Sequence, residues 1–217
     1  MRGSLAAVVV AFGLMTATAG QAPAATANLE FTGPGVSGSV VITYGAATDG
    51  TYSDALKVTG ITGTFTDTNV PLSLINVPIV GLVPISPTAP EPTNLKAPSD
   101  FSKFGVASGF THDALSYDNL YWPGGSPQTA TDYPGAGGLL DIYGLLFDIG
   151  GGMVVNLWSN GDFGGGADYG VAVATAREGL NYVEGGVTVT VPEPASLSLL
   201  GAGLLGIFGL RRRAQAH

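Results

Sequence analysis

The chain has 217 residues, with 8 Lys and Arg against 16 Asp and Glu, and a net charge of −8. It contains no cysteine, which excludes disulfides, thiolate metal sites and cysteine nucleophiles. The acidic balance argues against a nucleic-acid partner, because binding to a phosphate backbone requires a basic patch. With 34 glycines and 14 prolines the chain is rich in turn-forming residues, and its length suits one domain with a core.

The first 27 residues are typical of a secretory signal peptide. Arg2 supplies the positive start, residues 5–15 form an apolar stretch, and Ala-x-Ala cleavage sites end at Ala24 and Ala27 after an earlier one at Ala19. Eleven apolar residues span only about 16 Å as a helix, whereas the hydrocarbon core of a membrane is roughly 30 Å thick. We therefore predict that residues 1–27 direct export and are removed after Ala24 or Ala27.

A second apolar stretch lies near the C-terminus. Residues 195–210 carry no charge and would reach about 24 Å as a helix, which suffices for a transient passage through a thin bilayer. The cluster of Arg211, Arg212 and Arg213 follows, and the positive-inside rule keeps such a cluster in the cytoplasm. The sequence therefore predicts a short transmembrane helix in the inner membrane, a cytoplasmic stop signal behind it, and a body outside.

The tripeptide Pro192-Glu193-Pro194 stands directly before this apolar stretch. Its two prolines remove two backbone donors and favour an extended conformation, as a processing enzyme requires. An earlier copy, Pro90-Glu91-Pro92, is followed by neither an apolar stretch nor arginines. The order of motif, apolar stretch and arginine cluster over residues 191–213 resembles the PEP-CTERM sorting signal of exported proteins of Gram-negative bacteria.

The resemblance implies transient recognition by an exosortase, a membrane enzyme that would cut near the motif. The body would then be released or transferred to the cell surface or to an extracellular matrix that contains exopolysaccharide. On this interpretation Pro192, Glu193 and Pro194 form a substrate site and not a catalytic one. The alternative is a single-pass membrane anchor that is never processed.

Residues 28–190, between the two signals, are predicted to form one exported β-rich domain. From residue 28 to residue 191 there are 4 cations and 15 acids, a net charge of −11. Short segments alternate apolar and polar residues with the period of half-buried strands, and none shows sustained helical periodicity. The predicted strands are 39–44, 55–59, 61–66, 153–158, 170–175 and 186–191. We predict an all-β fold, an antiparallel β-sandwich, with at most one short helix near residues 113–120.

Turn and breaker residues divide this body. The pairs Asp49-Gly50, Asn160-Gly161 and Gly185-Gly186 are turn signals between the strands. Residues 70–100 hold seven of the fourteen prolines among apolar side chains, a density that a central strand does not tolerate. We interpret this segment as a partly extended crossover or a sheet edge, with a domain boundary as the alternative.

The body offers few groups for catalysis. His112 is its single histidine and the chain has no Gly-x-Ser-x-Gly elbow, so we assign no catalytic residue and no cofactor. Its many carboxylates guarantee pairs, so glycosidase-like pairing carries no information from sequence. Asp162 and Asp168 border a glycine-rich loop and are a weak calcium candidate, against a plain hairpin turn.

The aromatic side chains suggest a different role. Exposed rings stack on the faces of sugars, and Tyr121 and Trp122 are our candidates for a carbohydrate contact, with a place in the core as the competing interpretation. We expect a non-enzymatic exported protein with a structural or polysaccharide-interacting body. The alternatives are a secreted carboxylate-dependent hydrolase and an unprocessed membrane-anchored surface protein.

Overall fold

A computed structural model describes residues 24–48, 50–70, 73–85, 96–98, 115–131, 133–175 and 179–192. Within these ranges the chain forms twelve strands and no helix, so the all-β prediction is confirmed. The strands are β1 (Ala25–Gly33), β2 (Val36–Thr48), β3 (Leu56–Asp67), β4 (Leu74–Pro78), β5 (Gly81–Leu82), β6 (Lys96–Pro98), β7 (Leu115–Tyr117), β8 (Leu120–Tyr121), β9 (Leu145–Gly150), β10 (Met153–Asp162), β11 (Ala167–Ala174) and β12 (Gly179–Thr190).

The N-terminal half of the sheet is an antiparallel meander of β1 to β4. Its sequence alternates as expected: Leu29 and Phe31 of β1 are buried, while Glu30 and Thr32 are exposed. The predicted strands 55–59 and 61–66 are joined in β3, whose pairing with β2 shifts register at Thr59. One face of this half packs on the core and the other is lined with hydroxyl groups.

The C-terminal half is a second antiparallel meander, formed by β9 to β12. In β10 every residue from Val154 to Gly161 is buried, so both faces of this strand are covered. The predicted turn at Asn160-Gly161 is wrong, because both residues lie inside β10 next to a register shift in its pairing with β11. The chain reverses instead at residues 163–166.

Strand β12 joins the two halves. It pairs with β11 as far as Val187 and with β1 from Thr188 onward. Where it changes partner, the span from Val183 to Val187 opposes only the span from Tyr169 to Val171, which is a β-bulge. The pair Gly185-Gly186, predicted as a turn, lies in this bulge because β12 continues through it to Thr190.

The proline-rich segment connects the two edges of the sheet. Strand β4 pairs with β3, and two residues later β5 pairs with β9. Between them the amide of Ile79 donates to the carbonyl of Gly63 at 2.9 Å and the amide of Val80 to that of Asp148 at 2.8 Å. The described part of this segment is therefore an edge and a crossover at once, with Pro78 at the end of its strand.

These pairings make a single curled antiparallel sheet of ten strands, including β8 on β3. The predicted sandwich of two sheets is not confirmed, because β12 is shared by both halves and runs from one into the other. The core lies on the concave side. There Phe65 packs on Phe31 and Phe147 with ring centroids 6.1 and 6.3 Å apart, which joins β1 and β3 to β9.

The described residues of 115–144, which we call the covering segment, pack in part on the outer face of the C-terminal half, while β8 within them pairs with β3. Tyr117 and Ile142 from this segment share a second buried cluster with Trp158 of β10. The short helix predicted near residues 113–120 is wrong for the described residues 115–120, which form β7, an open turn and the start of β8. Asn119 has a left-handed backbone, with φ of 56°, and its side chain bonds to other segments instead of capping a helix.

Candidate functional site

The chain leaves the sheet at the end of β12. Thr190 is still paired with Glu30, and the following Val191 and Pro192 are exposed. Glu193, Pro194, the apolar residues 195–210 and the cluster Arg211, Arg212 and Arg213 lie outside the described residues. The predicted processing motif therefore starts two residues beyond the last strand, on an accessible part of the chain. Among the described residues there is no helix that is long and apolar enough to cross a membrane.

The second candidate site is a groove of about 700 Å³ on the surface of the protein. Its described lining comes from residues 51–52, 57–59, 82, 84–85, 118–120, 129 and 143. The volume falls in the range of about 300–1,000 Å³ that is usual for small-molecule sites. Because residues far apart in the chain build this groove, no local motif in the sequence reveals it.

Asn119 holds the floor of the groove together. Its Nδ2 donates to the carbonyl of Val83 at 2.8 Å, and its Oδ1 accepts from the amide of Leu146 at 2.9 Å. Its backbone carbonyl accepts from the amide of Val58 at 3.0 Å and its amide donates to Gly144 at 2.9 Å. Asn119 is 3% exposed, so these bonds fix the three sides of the groove relative to one another in a water-poor environment.

Two tyrosines stand in the walls. Tyr52 packs edge-on against Trp122, with ring centroids 5.2 Å apart. The amide of Tyr143 donates to Oδ1 of Asp141 at 3.0 Å, and its carbonyl accepts from Nδ2 of Asn156 at 3.0 Å. Both residues are partly exposed; Trp122 supports the ring of Tyr52, and the two hydrogen bonds of Tyr143 fix its backbone.

The charges of the described lining are one cation and one anion. Lys57 is exposed on β3, opposite Leu120. Asp118 is half-buried, and its Oδ1 accepts from the amide of Leu120 at 3.1 Å. Thr51 and Thr59 also line the groove, and the Thr59 hydroxyl donates to the carbonyl of Thr43 at 3.2 Å. The groove therefore combines flat rings with donors and acceptors, and its described charges cancel.

The structure buries both residues that the sequence suggested as carbohydrate contacts. Tyr121 is 5% exposed and packs on Tyr44 at a centroid distance of 5.3 Å. Trp122 is 1% exposed, and its Nε1 is buried without a hydrogen-bond partner. Neither ring has a free face for stacking on a sugar, because β8 packs on β3 and Tyr52 covers Trp122. The partly exposed neighbours Tyr52 and Tyr143 were missed because sequence alone does not tell which aromatic faces outward.

The two aspartates of the calcium candidate are engaged within the protein. Oδ1 of Asp162 accepts from the amides of Gly164, Gly165 and Gly166 at 2.7, 3.2 and 3.1 Å, and these bonds hold the pKa of this carboxyl below its usual value. Asp168 accepts from Nδ2 of Asn160 and from the amide of Gly186. The described residues contain no group of three metal-ligating side chains. His112 lies outside the described residues.

An all-β body whose last strand leads straight into Pro-Glu-Pro, an apolar stretch and arginines has the arrangement of a protein that is sorted through its C-terminus. Residues 190–213 match the PEP-CTERM protein-sorting motif, which confirms the resemblance seen in the sequence. The match begins at the final residue of β12 and indicates an exported protein with a membrane-transit step and an exosortase as its sorting partner. No curated protein and no solved structure matches the chain.

Proposed function

We propose that this chain is a non-enzymatic protein of the cell surface or extracellular matrix, delivered by its C-terminal signal, with a polysaccharide-interacting or structural body. The observation that carries the proposal is the position of the sorting motif. It begins at Thr190, where β12 ends, so cleavage at or beyond Pro192 removes no paired strand residue. Because β12 pairs with both β11 and β1, a cut inside it would separate the two halves.

The N-terminal boundary supports the same arrangement. Ala25, Thr26 and Ala27 belong to β1 and pair with Tyr44, Thr43 and Ile42 of β2. Cleavage after Ala24 leaves this strand whole, whereas cleavage after Ala27 removes three of its residues. We therefore propose Ala24 as the last residue of the signal peptide, and a folded body that runs from residue 25 to the sorting motif.

In transit, residues 195–210 would hold the protein in the inner membrane and Arg211, Arg212 and Arg213 would stop it there. The exosortase would then act on Pro192, Glu193 and Pro194, which an exposed Val191 connects to the sheet. An unprocessed anchor would keep the same body at the membrane. The two outcomes differ in the C-terminus of the protein that reaches the surface.

The described groove favours a binding body over a hydrolase. Carboxylate-dependent glycoside hydrolysis requires two carboxyl groups about 5–9.5 Å apart on either side of the scissile bond. Among the described residues of the groove, Asp118 supplies the carboxylate and no second acid faces it. A binding site needs one such group to orient a ligand, so this lining supports recognition without cleavage.

The test compares the two Pro-Glu-Pro copies. We expect mass spectrometry of the surface fraction to find wild-type protein that lacks residues 195–217, while Glu193→Ala keeps the intact tail in the membrane fraction. The matched control is Glu91→Ala in the earlier copy, which should be processed and delivered like wild type. A surface form that still ends at His217 would establish the unprocessed anchor instead.

A further inference from the structure

We propose that the groove between β3, the covering segment and the stretch after β5 is a binding site for a neutral oligosaccharide segment. The inference deepens the proposed function, on which it rests, by giving the body's ligand a place and a chemical class.

The lining has the two kinds of group that sugars require. The apolar faces of pyranose rings pack on aromatic rings, and the partly exposed Tyr52 and Tyr143 supply these in the walls. Sugar hydroxyl groups both donate and accept hydrogen bonds, and the lining holds the hydroxyls of Thr51 and Thr59, of which the Thr59 hydroxyl donates to the carbonyl of Thr43 and can accept from a ligand. The Asp118 carboxylate adds a charge-assisted acceptor.

The charges of the groove lining and of the body favour a neutral ligand over an acidic one. The described lining holds one cation, Lys57, and one anion, Asp118, so it offers no excess positive charge. Residues 28–191 carry a net charge of −11, which repels polyanions over the whole body. A phosphorylated or uronic-acid chain would meet this repulsion without a compensating basic cluster. A neutral sugar chain would not.

The framework of the groove is rigid before binding. Asn119 links the strands on either side through its side chain and its backbone, and Tyr117 donates its hydroxyl to the carbonyl of Pro84 at 3.0 Å. The Trp122 ring supports Tyr52, and hydrogen bonds to Asp141 and Asn156 fix the backbone of Tyr143. Less ordering is therefore required when a ligand binds, which favours affinity for a weakly interacting molecule such as a sugar.

Titration calorimetry tests the proposal on the protein purified from the producing cells, in whichever processed form they contain. The probes are cellohexaose, xylohexaose, mannohexaose and laminarihexaose, together with exopolysaccharide prepared from those cells and with hexagalacturonate as the anionic comparison. We expect at least one neutral probe or the exopolysaccharide to bind, and hexagalacturonate to bind more weakly. Failure of every neutral probe and of the exopolysaccharide would overturn the inference.

Matched substitutions locate the binding. Tyr143→Ala should weaken binding about tenfold, which corresponds to about 1.4 kcal/mol, whereas Tyr182→Ala removes a partly buried tyrosine outside the groove and should leave affinity unchanged. Asp118→Asn should also weaken binding about tenfold. Its control is Asp148→Asn, since Oδ1 of Asp148 likewise accepts from an amide two residues on, that of Gly150.

A spectroscopic measurement covers the case in which a variant does not fold. In the wild-type protein, ligand should shift the backbone amide resonances of Thr59 and Leu120 in the groove, and not that of Thr64 on the hydroxyl-lined outer face. Shifts confined to the outer face, or variants that bind like wild type, would overturn the groove while leaving surface delivery intact. An uncut tail with normal binding would overturn tail processing and leave the groove intact.

Discussion

The two halves of the sheet bury their strands in different ways. In the N-terminal half, β1 to β3 alternate, with Phe31 and Phe65 on the core and Thr32 and Thr64 facing outward. In the C-terminal half, β10 is buried on both faces, because the covering segment packs on the side away from the core. The two meanders therefore share a topology, but the outer face of the first is exposed to solvent and that of the second is covered by a further layer of chain.

The difference shows where stability and binding are located. The outer face of the N-terminal half is lined by hydroxyl groups and by Glu30, which accepts a hydrogen bond of 2.7 Å from Ser39. The covering segment instead buries the outer face of the C-terminal half. Where it meets β3 it forms the groove, to which it contributes the polar side chains of Asp118 and Asn119. The long connection between the meanders thus both completes the second core and shapes the candidate site.

The largest expected effect comes from removing the ring of Trp158, which lies in the buried cluster found only in the C-terminal half. Trp158 is 1% exposed, stacks on Tyr182 at 5.3 Å and donates its Nε1 proton to Oδ1 of Asn160 at 2.9 Å. Trp158→Ala should lower the free energy of unfolding by about 3–5 kcal/mol, since it opens a large cavity. Urea denaturation measures this, and Thr64→Val on the outer face should stay within about 0.5 kcal/mol. Equal losses would mean that the halves are equally packed.

A pair of left-handed asparagines gives a sharper comparison. Asn119 of the covering segment and Asn76 of β4 have φ of 56° and 49°, so glycine fits both backbones without strain. Asn119→Gly leaves the partly buried carbonyl of Val83 and the buried amide of Leu146 without side-chain partners and should cost about 2–3 kcal/mol. Asn76→Gly, on an exposed side chain, should cost no more than about 0.5 kcal/mol. Urea midpoints that agree for the two variants would contradict the proposed role of Asn119.

The smallest effect is a dependence on alkaline pH. Burial, and then the charge of Glu184, raises the pKa of Tyr182 above its ordinary value of 10.0. Above about pH 10 the unfolded chain loses this proton while the folded chain keeps it, so the free energy of unfolding falls as pH rises. With allowance for solvent screening the contribution is below about 1 kcal/mol per pH unit.

Tyr182→Phe tests that contribution, because it removes the titrating group and keeps the ring that stacks on Trp158. Urea denaturation between pH 8 and pH 11 should show a shallower fall in stability than in the wild-type protein. The slope will not vanish, since burial also raises the pKa of Tyr117 and Tyr169. An unchanged slope would mean that Tyr182 titrates alike in the folded and unfolded chains.

Sequence analysis located two kinds of strand: β2, β3 and the end of β12, which keep one exposed face, and β10 and β11, which are almost wholly buried. Alternation made the strands of the first kind recognisable, since a half-buried strand has a period of two. Strand β9 was not predicted: its Leu145, Leu146 and Phe147 are all buried and follow one another without a polar residue between them, so no alternation marks the strand. Strand β1 was not predicted, and the predicted signal peptide covered its first three residues.

Two glycine-containing pairs were wrongly predicted as turns. Asn160-Gly161 and Gly185-Gly186 have the composition of hairpin turns, yet both lie where pairing shifts register within a strand. A bulge and a turn place the same demand on the local backbone, and only the strands on either side decide between them. The groove could not be predicted from the sequence. Tyr52 and Tyr143 are 91 residues apart in the chain, and the pairing of other segments brings both to the groove.

Composition and local pattern alone determined that the protein is acidic, free of thiols, β-rich and equipped with a C-terminal sorting signal. Each of these depends on residue type or on neighbours within about twenty positions. The tertiary structure decided how the strands curl around a shared β12, which aromatic rings are buried, and where the groove opens. These features arise from contacts between distant segments, whose free energy depends on which faces meet.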